Sequence, residues 1–290
     1  MTVHQEPSND RKLDQFYTNP DYAKSFMSII NTYVDISKYD MQLEPSAGSG
    51  SFYNLMDADK RFGLDIDPKL DEIQKIDFFD WQYPTDKSVI TIGNPPFGKN
   101  ATLAIKFFNH SAKFSDCISF VLPRTFRKSS VINRLDEQFH LIFDETVPDN
   151  GFIFEGKPYN VPCCSQIWVK KNENREKITT FKISQLSDYF EIVKPEFSDF
   201  SVQRVGGKAG QIRTIDRKNF SELSNYFIKA NKDFILDVFT EINFESVKYN
   251  TAGNPSISPS ELVELFVDKA KIMGYTITLT PLPEKSNGKK

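Results

Sequence analysis

Long apolar segments, a signal-peptide pattern and clustered metal ligands are all missing from this sequence. The 290 residues contain no run of 18 apolar residues, and the segment 1–11 is polar. We therefore expect no membrane helix and no signal peptide. The three histidines lie far apart, so we expect no metal site. These features predict a soluble intracellular protein, either cytoplasmic or associated with the nucleoid.

Cysteine is also scarce. Cys117, Cys163 and Cys164 form no C-x-x-C pair, and adjacent cysteines rarely form a relaxed disulfide or a zinc clip. Because no histidine lies near Cys163 and Cys164 in sequence, we predict buried strand residues rather than nucleophiles. A hydrophobic content of 39% with 26% charged residues is typical of a soluble globular chain. The length suits either one large domain or one domain with a smaller appendage.

Charge is unevenly distributed along the chain, although the net charge is only -3. From Asp35 to Asp80 there are eleven acids against five bases, a net of -6; from Gly98 to Arg134 there are seven bases against one acid, a net of +6. Two solvated helix faces would explain this division. An acidic cofactor side and a basic polyanion side of one cleft would explain it as well.

Short apolar runs alternate with helical patterns from Met41 to Phe143, which predicts βαβ units and an α/β fold with a mostly parallel sheet and helices on both faces. The segment Asp149–Lys171 is rich in Gly, Pro, aromatic and β-branched residues and predicts an antiparallel hairpin at the end of the sheet. The predicted strands are 61–66, 73–79, 89–93, 117–122, 139–143 and 201–205. The predicted helices are 20–33, 100–113, 129–135, 220–230 and 259–273.

Polar clusters and patterning divide the chain into four predicted parts. Residues 1–12 form a disordered start, and 13–172 form the main α/β domain. Residues 173–280 form a small C-terminal α+β extension, a candidate for target recognition, and 281–290 form a polar tail.

The turn Asn94-Pro95-Pro96-Phe97 follows the β-branched run 89–93. Prolines lack an N–H group and bias the preceding residue to an extended shape, so this turn is stiff and offers oxygens. The Asn94 side chain and the Pro95 carbonyl can accept hydrogen bonds, and Phe97 supplies a flat apolar face. Such groups suit a planar ring with an exocyclic amine. An ordinary strand-ending turn with a core Phe explains the tetrapeptide alone equally well.

Three earlier predicted strands also end in groups that can bind a ligand. The loop 44–52 contains a G-x-G that lets backbone approach a ligand, but it lacks the third glycine of the dinucleotide fingerprint. We expect this loop to enter a helix with free N–H groups. Asp65, 15 residues after Gly50, can accept hydrogen bonds from ribose hydroxyls. Asp77 can accept from an adenine amine, with Phe78 alongside the ring; either acid alone is more commonly a strand-end cap.

Together, the four strand ends resemble class I S-adenosylmethionine-dependent methyltransferases, and in particular the nucleic-acid enzymes that methylate adenine N6. The resemblance covers about Asp14 to Lys170, and its most specific elements are the Glu-Pro-Ser-Ala-Gly-Ser-Gly loop and the Asn-Pro-Pro-Phe turn. The segment Gln15–Pro20 is similar to the family motif that helps seat the methionine part of the cofactor. The order of these motifs resembles the gamma group of adenine methyltransferases.

The resemblance implies a Rossmann-like sheet, S-adenosyl-L-methionine as cofactor, and a target base held by Asn94, Pro95 and Phe97. It implies that Asp65 binds ribose and that Asp77 and Phe78 bind the cofactor adenine. The cofactor-binding residues that it implies are Phe16, Tyr17, Thr18, Glu44, Pro45, Ala47, Gly48, Gly50, Asp65, Ile66, Asp77, Phe78 and Asn94.

Cations follow the Asn-Pro-Pro-Phe turn and the next predicted strand. Lys99, Arg124, Arg127 and Lys128 are candidates for phosphate contacts, although a solvated loop explains them equally well. The aromatic segment 150–159 is a candidate lid over the base pocket, or alternatively a hairpin core.

These observations favour an N6-adenine methyltransferase acting on DNA. An RNA adenine methyltransferase uses the same chemistry, but no recognisable RNA-binding module is present. A protein glutamine methyltransferase can use a similar turn, and a catalytically silent nucleic-acid-binding fold is a further alternative. The defective glycine fingerprint disfavours a dinucleotide oxidoreductase.

Overall fold

A computed structural model describes residues 17–154, 156–215 and 219–280. The predicted disordered start, the predicted tail and Phe16 lie outside the described residues. The chain divides into two compact units at Ile178/Thr179, six residues after the boundary that we predicted. No helix among the described residues has both the length and the apolar character needed to cross a membrane.

The first unit is an α/β unit around one large sheet. Its strands are β1 (Tyr17–Thr18), β2 (Met41–Glu44), β3 (Arg61–Asp65), β4 (Gln74–Lys75), β5 (Val89–Gly93), β6 (Cys117–Pro123), β7 (Phe139–Thr146), β8 (Phe152–Phe154), β9 (Lys157–Tyr159) and β10 (Cys163–Lys170). Its α-helices are α1 (Pro20–Tyr33), α2 (Thr102–Ser111) and α3 (Ser129–Ile132).

The large sheet has seven strands in the order β4-β3-β2-β5-β6-β10-β7. Pairs from β4 to β6 are parallel, whereas β10 runs antiparallel to both β6 and β7. The predicted Rossmann-like sheet with an antiparallel end is therefore confirmed. The segment 149–171 contributes β10 to this end, while β8 and β9 form a separate small sheet with β1.

Alternating side chains of the central strands bury both faces of the sheet. Val121 and Ile167 belong to one core cluster, together with Phe26 of α1. Their neighbours Phe120 and Trp168 belong to another cluster, which includes residues of α2. Two-residue periodicity thus places helices on both faces, as predicted.

Helix α1 forms where the sequence predicts it, because its start is encoded locally. The Asn19 side chain accepts a hydrogen bond from the Asp21 amide at 2.9 Å, and Pro20 occupies the first turn. Its buried residues recur every three or four positions and pack on the sheet. They are Ala23, Phe26, Met27 and Ile30.

The expected helix after Gly50 is absent: only a single 3-10 turn, Tyr53–Leu55, follows the loop. Side chains of β2 accept hydrogen bonds from backbone amides of this segment. Glu44 Oε2 accepts from the Tyr53 amide at 2.6 Å, and Gln42 Oε1 accepts from the Asp57 amide at 3.0 Å.

The predicted strand 73–79 is also shorter than expected, since only Gln74–Lys75 pairs with β3. The Phe79 amide donates to Asp77 Oδ1 at 2.9 Å, which turns the chain out of the sheet.

The second unit is an α+β unit with its own hydrophobic core. Its four-stranded sheet has the order β11-β14-β12-β13, and every pair in it is antiparallel. The elements are β11 (Phe190–Ile192), β12 (Phe200–Gln203), β13 (Ile212–Arg213), β14 (Asn225–Ala230), α4 (Ile235–Thr240), α5 (Glu245–Lys248) and α6 (Pro259–Ile272).

One helix prediction in this unit is wrong. Strand β14 lies within the predicted helix 220–230, because its residues 225–228 pair with β12 and its residues 228–230 pair with β11. Helix α6 is confirmed: Ser258 and Glu261 form a reciprocal capping box at its start.

Candidate functional site

The carboxyl ends of the parallel strands meet at one edge of the large sheet, where they surround a cavity of ≈ 220 Å³. Most of the residues that the sequence singled out line this cavity. Those residues are Tyr17, Thr18, Glu44, Pro45, Ala47, Gly48, Asp65, Ile66, Asp77, Phe78, Asn94, Pro95 and Phe97. Gly50 does not line it, and Phe16 lies outside the described residues. The roles of these residues remain predictions.

Glu44 is a buried acid at the end of β2. It is 2% exposed, and its Oε2 accepts the Tyr53 amide hydrogen. Burial raises the pKa of this carboxyl well above its ordinary value, and the nearby Asp65 raises it further, while the Tyr53 amide opposes the shift. Glu44 therefore holds its proton to a higher pH than a solvated glutamate does.

The glycine loop is fastened to Asp65 at the end of β3. Gly48 N donates to Asp65 Oδ2 at 2.7 Å, and Asp67 N donates to Asp65 Oδ1 at 2.8 Å. Each carboxylate oxygen has further lone-pair capacity, so Asp65 can also accept hydrogen bonds from a ligand hydroxyl. Beside it, Ile66 is 54% exposed and adds an apolar wall.

Gly48 allows the loop to pass close to β1. Its φ is +49°, and a Cβ there would lie 3.1 Å from Tyr17 Cε1. On the same wall, the Thr18 side chain is 4% exposed, and its hydroxyl has no hydrogen-bond partner within the part of the chain that the structure describes. A buried hydroxyl without a partner is costly, so this oxygen marks a position for a polar ligand atom.

Aromatic rings form the wall beyond β4. Phe78 is 2% exposed and packs against Phe107 of α2, with ring centroids 5.0 Å apart. Phe79 is 37% exposed and therefore offers more ring surface to a ligand than Phe78 does. His110 packs edge-on behind Phe78 at 4.7 Å, and its burial lowers its pKa. Asp77 is exposed at the rim.

The Asn-Pro-Pro-Phe turn is held from both sides. Ser46 Oγ donates to the Asn94 carbonyl at 3.0 Å, which ties the turn to the glycine loop. The Phe97 carbonyl accepts from the amides of Leu103 and Ala104, at 3.1 and 3.2 Å, at the start of α2. The turn is therefore preorganised rather than mobile, as a positioning device requires.

The predicted phosphate-binding cations differ in their surroundings. Lys99 is exposed beside the turn, and Arg124 donates from Nε to the Cys163 carbonyl at 3.4 Å. Arg127 is bound to β7: its guanidinium contacts Asp144 Oδ1 at 2.8 and 2.5 Å, and its Nη1 donates to the Thr146 hydroxyl at 3.0 Å. This guanidinium therefore braces the loop after β6, and Lys128 is partly buried next to it.

The candidate lid, β8 and β9, pairs with the cavity wall. Thr18 of β1 lies opposite Phe152 of β8, which is fully buried. Phe154 and Tyr159 face each other across the hairpin with ring centroids 5.5 Å apart, and Tyr159 is 45% exposed. The hairpin thus has a buried ring, Phe152, and an exposed ring, Tyr159. Its role as a lid remains a prediction.

The cavity wall also contains residues to which the sequence analysis assigned no individual role: Ser46, Ser49, Ser51, Ile76, Phe79, Pro96, Leu103 and Phe107. The pair Leu103 and Phe107 could have been found from the sequence, because its i, i+4 spacing begins the helix that follows the turn.

Burial raises the pKa of Cys164 to about 12, which fits its prediction as a buried strand residue. No cluster of three or more metal-ligating side chains occurs among residues 17–154, 156–215 and 219–280.

No protein-family model matches the chain, and no curated protein matches it. Among solved structures, it is similar to a provisionally assigned RNA methyltransferase from Pyrococcus horikoshii, at 16% identity and a TM-score of 0.45, over 59% of this chain and 92% of that chain. The 23S rRNA methyltransferase ErmE is 16% identical with a TM-score of 0.39, over 55% and 71% respectively. The yhhF protein of Escherichia coli, a provisionally assigned methyltransferase, is 12% identical with a TM-score of 0.36, over 59% and 91%. Likenesses this distant establish neither a family nor an activity.

Proposed function

We propose that this chain is an S-adenosylmethionine-dependent methyltransferase that methylates the N6 amine of adenine in DNA. The observation that carries the proposal is one shared cavity, which is lined by Asp65 at the end of β3, by Asp77 two residues after β4, and by the turn Asn94–Phe97. An acid pair on one side and a stiff acceptor turn on the other suit a cofactor and a planar amine, respectively.

The cavity wall fits S-adenosylmethionine in composition. Asp65 would accept from the ribose hydroxyls, and Asp77 would accept from the adenine amine with the Phe79 ring beside the base. The buried Thr18 hydroxyl and the backbone at Gly48 would hold the polar methionine end. When bound, the cofactor supplies an electrophilic methyl group on a sulfonium.

The chain's own contribution to catalysis is alignment of the acceptor amine. The lone pair of an exocyclic adenine nitrogen is delocalised into the ring, which makes the nitrogen a poor nucleophile. Asn94 Oδ1 and the Pro95 carbonyl would accept hydrogen bonds from the two N–H groups of this amine and favour a pyramidal nitrogen. A base inside a duplex must first be extruded, at a cost of a few kcal/mol, and Phe97 would then stack on it.

Labelled methyl transfer tests this function. The full chain is incubated with S-adenosylmethionine carrying a labelled methyl group and, in separate reactions, with duplex DNA of varied sequence, RNA and protein. We expect label in DNA as N6-methyladenine, and none with Asn94→Ala, whose folding is checked by circular dichroism. Label in RNA or protein alone, or no transfer to any acceptor, would contradict the proposal.

A further inference from the structure

The loop between β12 and β13 in the second unit is tightly fixed. The Gly210 amide donates to the Gln203 carbonyl at 2.8 Å, and the Gln211 carbonyl accepts the Gln203 amide hydrogen at 2.9 Å. Gly210 has a φ of +94°, and a Cβ there would lie only 2.5 Å from Phe244 Cβ. The loop therefore presents its side chains from a defined backbone.

Arg213, on β13, is oriented entirely by neutral groups among the residues that the structure describes. Its guanidinium donates to the amide oxygens of Gln203 and Gln211 at 2.6 Å each, and to that of Asn225 at 3.3 Å. The same group lies 4.4 Å from the centre of the Phe220 ring. Amide oxygens and a ring fix the direction of a guanidinium without cancelling its charge, so this site keeps a full positive charge.

Arg204, at the start of the loop, lies on the other face of the sheet, against the core residue Tyr226. Its guanidinium lies 5.2 Å from the centre of the Tyr226 ring, and its Nε is buried without a hydrogen-bond partner within the described part of the chain. By contrast, Lys248, which donates to the Gly207 carbonyl, is paired with the Glu245 carboxylate. Lys248 is therefore neutralised by an acid, whereas no carboxylate among the described residues forms an ion pair with Arg213.

The surroundings of Arg213 are basic and partly apolar. The described residues 204–215 contain three bases and no acid, a net of +3, and Lys208 is exposed on the loop. Ile215 is 73% exposed and Leu223 is 83% exposed. Ile215 is two residues from Arg213 in sequence, and an exposed aliphatic side chain near a cation can contact the groove of a duplex.

We propose that Lys208 and Arg213 bind the phosphate backbone of duplex DNA. This inference rests on the proposed function, and it assigns the second unit the task of holding the polymer that carries the target base. Arginine and lysine supply most phosphate contacts in protein–DNA complexes, and such contacts position the duplex without reading its sequence.

Salt-dependent binding tests the assignment. Affinity of the full chain, with S-adenosylmethionine present, is measured for a labelled duplex by fluorescence anisotropy between about 0.05 and 0.3 M salt, with a single-stranded RNA of the same length in parallel. Each lost phosphate contact should reduce the slope of log affinity against log salt by about 0.9. The double variant Lys208→Gln/Arg213→Gln should therefore lose about 1.8 of the slope, or about thirtyfold in affinity near 0.15 M salt. Lys208→Gln alone, at an exposed position, should lose about half of that slope.

The control removes the same two charges elsewhere on the second unit, as Lys232→Gln/Lys271→Gln, and should leave the slope unchanged. Circular dichroism melting checks that the variants fold, and calorimetry should show unchanged cofactor affinity. If folded Lys208→Gln and the double variant bind DNA with the wild-type slope, the assignment is wrong even though the wild type methylates DNA. A larger loss for RNA than for DNA would also overturn it. If the wild type neither binds nor methylates DNA, the proposed function fails and the assignment fails with it.

Discussion

Replacing Glu44 by Gln should change how stability depends on pH. The folded state raises the pKa of this buried carboxyl above its ordinary value of 4.5, so it binds a proton that the unfolded chain has already released. The contribution of Glu44 to the free energy of unfolding is fully present below the pKa of the group in the unfolded chain. It is lost as the pH rises toward the pKa of the group in the folded state. The loss is at most about 1.4 kcal/mol per pH unit for one proton.

Glu44→Gln keeps an oxygen for the Tyr53 amide but cannot ionise. Its stability relative to the wild type should therefore rise between about pH 5 and pH 7, by up to about 2.7 kcal/mol. Urea unfolding at pH 5, 6 and 7 measures the difference. Glu44→Ala serves as the contrast, because alanine also leaves the Tyr53 amide without its hydrogen-bond acceptor. The loss of this hydrogen bond should cost about 1–3 kcal/mol at every pH. Parallel stability curves for wild type and Glu44→Gln would refute the buried-proton argument.

Three further substitutions separate stability from binding. Gly48→Ala introduces a Cβ at positive φ against the neighbouring tyrosine ring and should destabilise the fold by about 1–2 kcal/mol while weakening S-adenosylmethionine binding, as measured by unfolding and calorimetry. Phe78→Ala should cost about 3–5 kcal/mol of stability, whereas Phe79→Ala should cost little stability but weaken cofactor binding about tenfold; equal stability losses would contradict their different burial. Arg127→Met should cost about 1.5–3 kcal/mol by removing the charged partner of Asp144 on β7, whose carboxylate would keep only the hydrogen bond from Gln166. Weaker DNA binding at unchanged stability would instead assign Arg127 a direct contact.

Features encoded by neighbouring residues were predictable. Helix α1 begins at Pro20 because the Asn19 cap and Pro20 are adjacent in sequence. Strand β5 has the predicted bounds, Val89–Gly93, because it is a β-branched run followed directly by the Asn-Pro-Pro-Phe turn. The grouping of Asp65 with that turn followed from parallel pairing, which brings the carboxyl ends of strands to one edge.

Features that depend on distant residues were not predictable. Strand β14 is specified by pairing with β11 and β12, which overrides the helical pattern of 220–230. The segment after Gly50 loses its helix to side chains on β2. Arg127 is bound by Asp144, 17 residues later, and no local pattern distinguishes it from the more exposed Lys99.

The proposed role of the turn Asn94–Phe97 is to hold an adenine amine of DNA for methylation. Its most direct test is modification-sensitive sequencing of DNA from a host without adenine methylation, after expression of the wild-type chain or of Asn94→Ala at matched levels. We expect N6-methyladenine, within a defined set of flanking bases, in the wild-type sample and none in the Asn94→Ala sample. Unmodified adenine in both samples, or equal methylation in both, would contradict the claim.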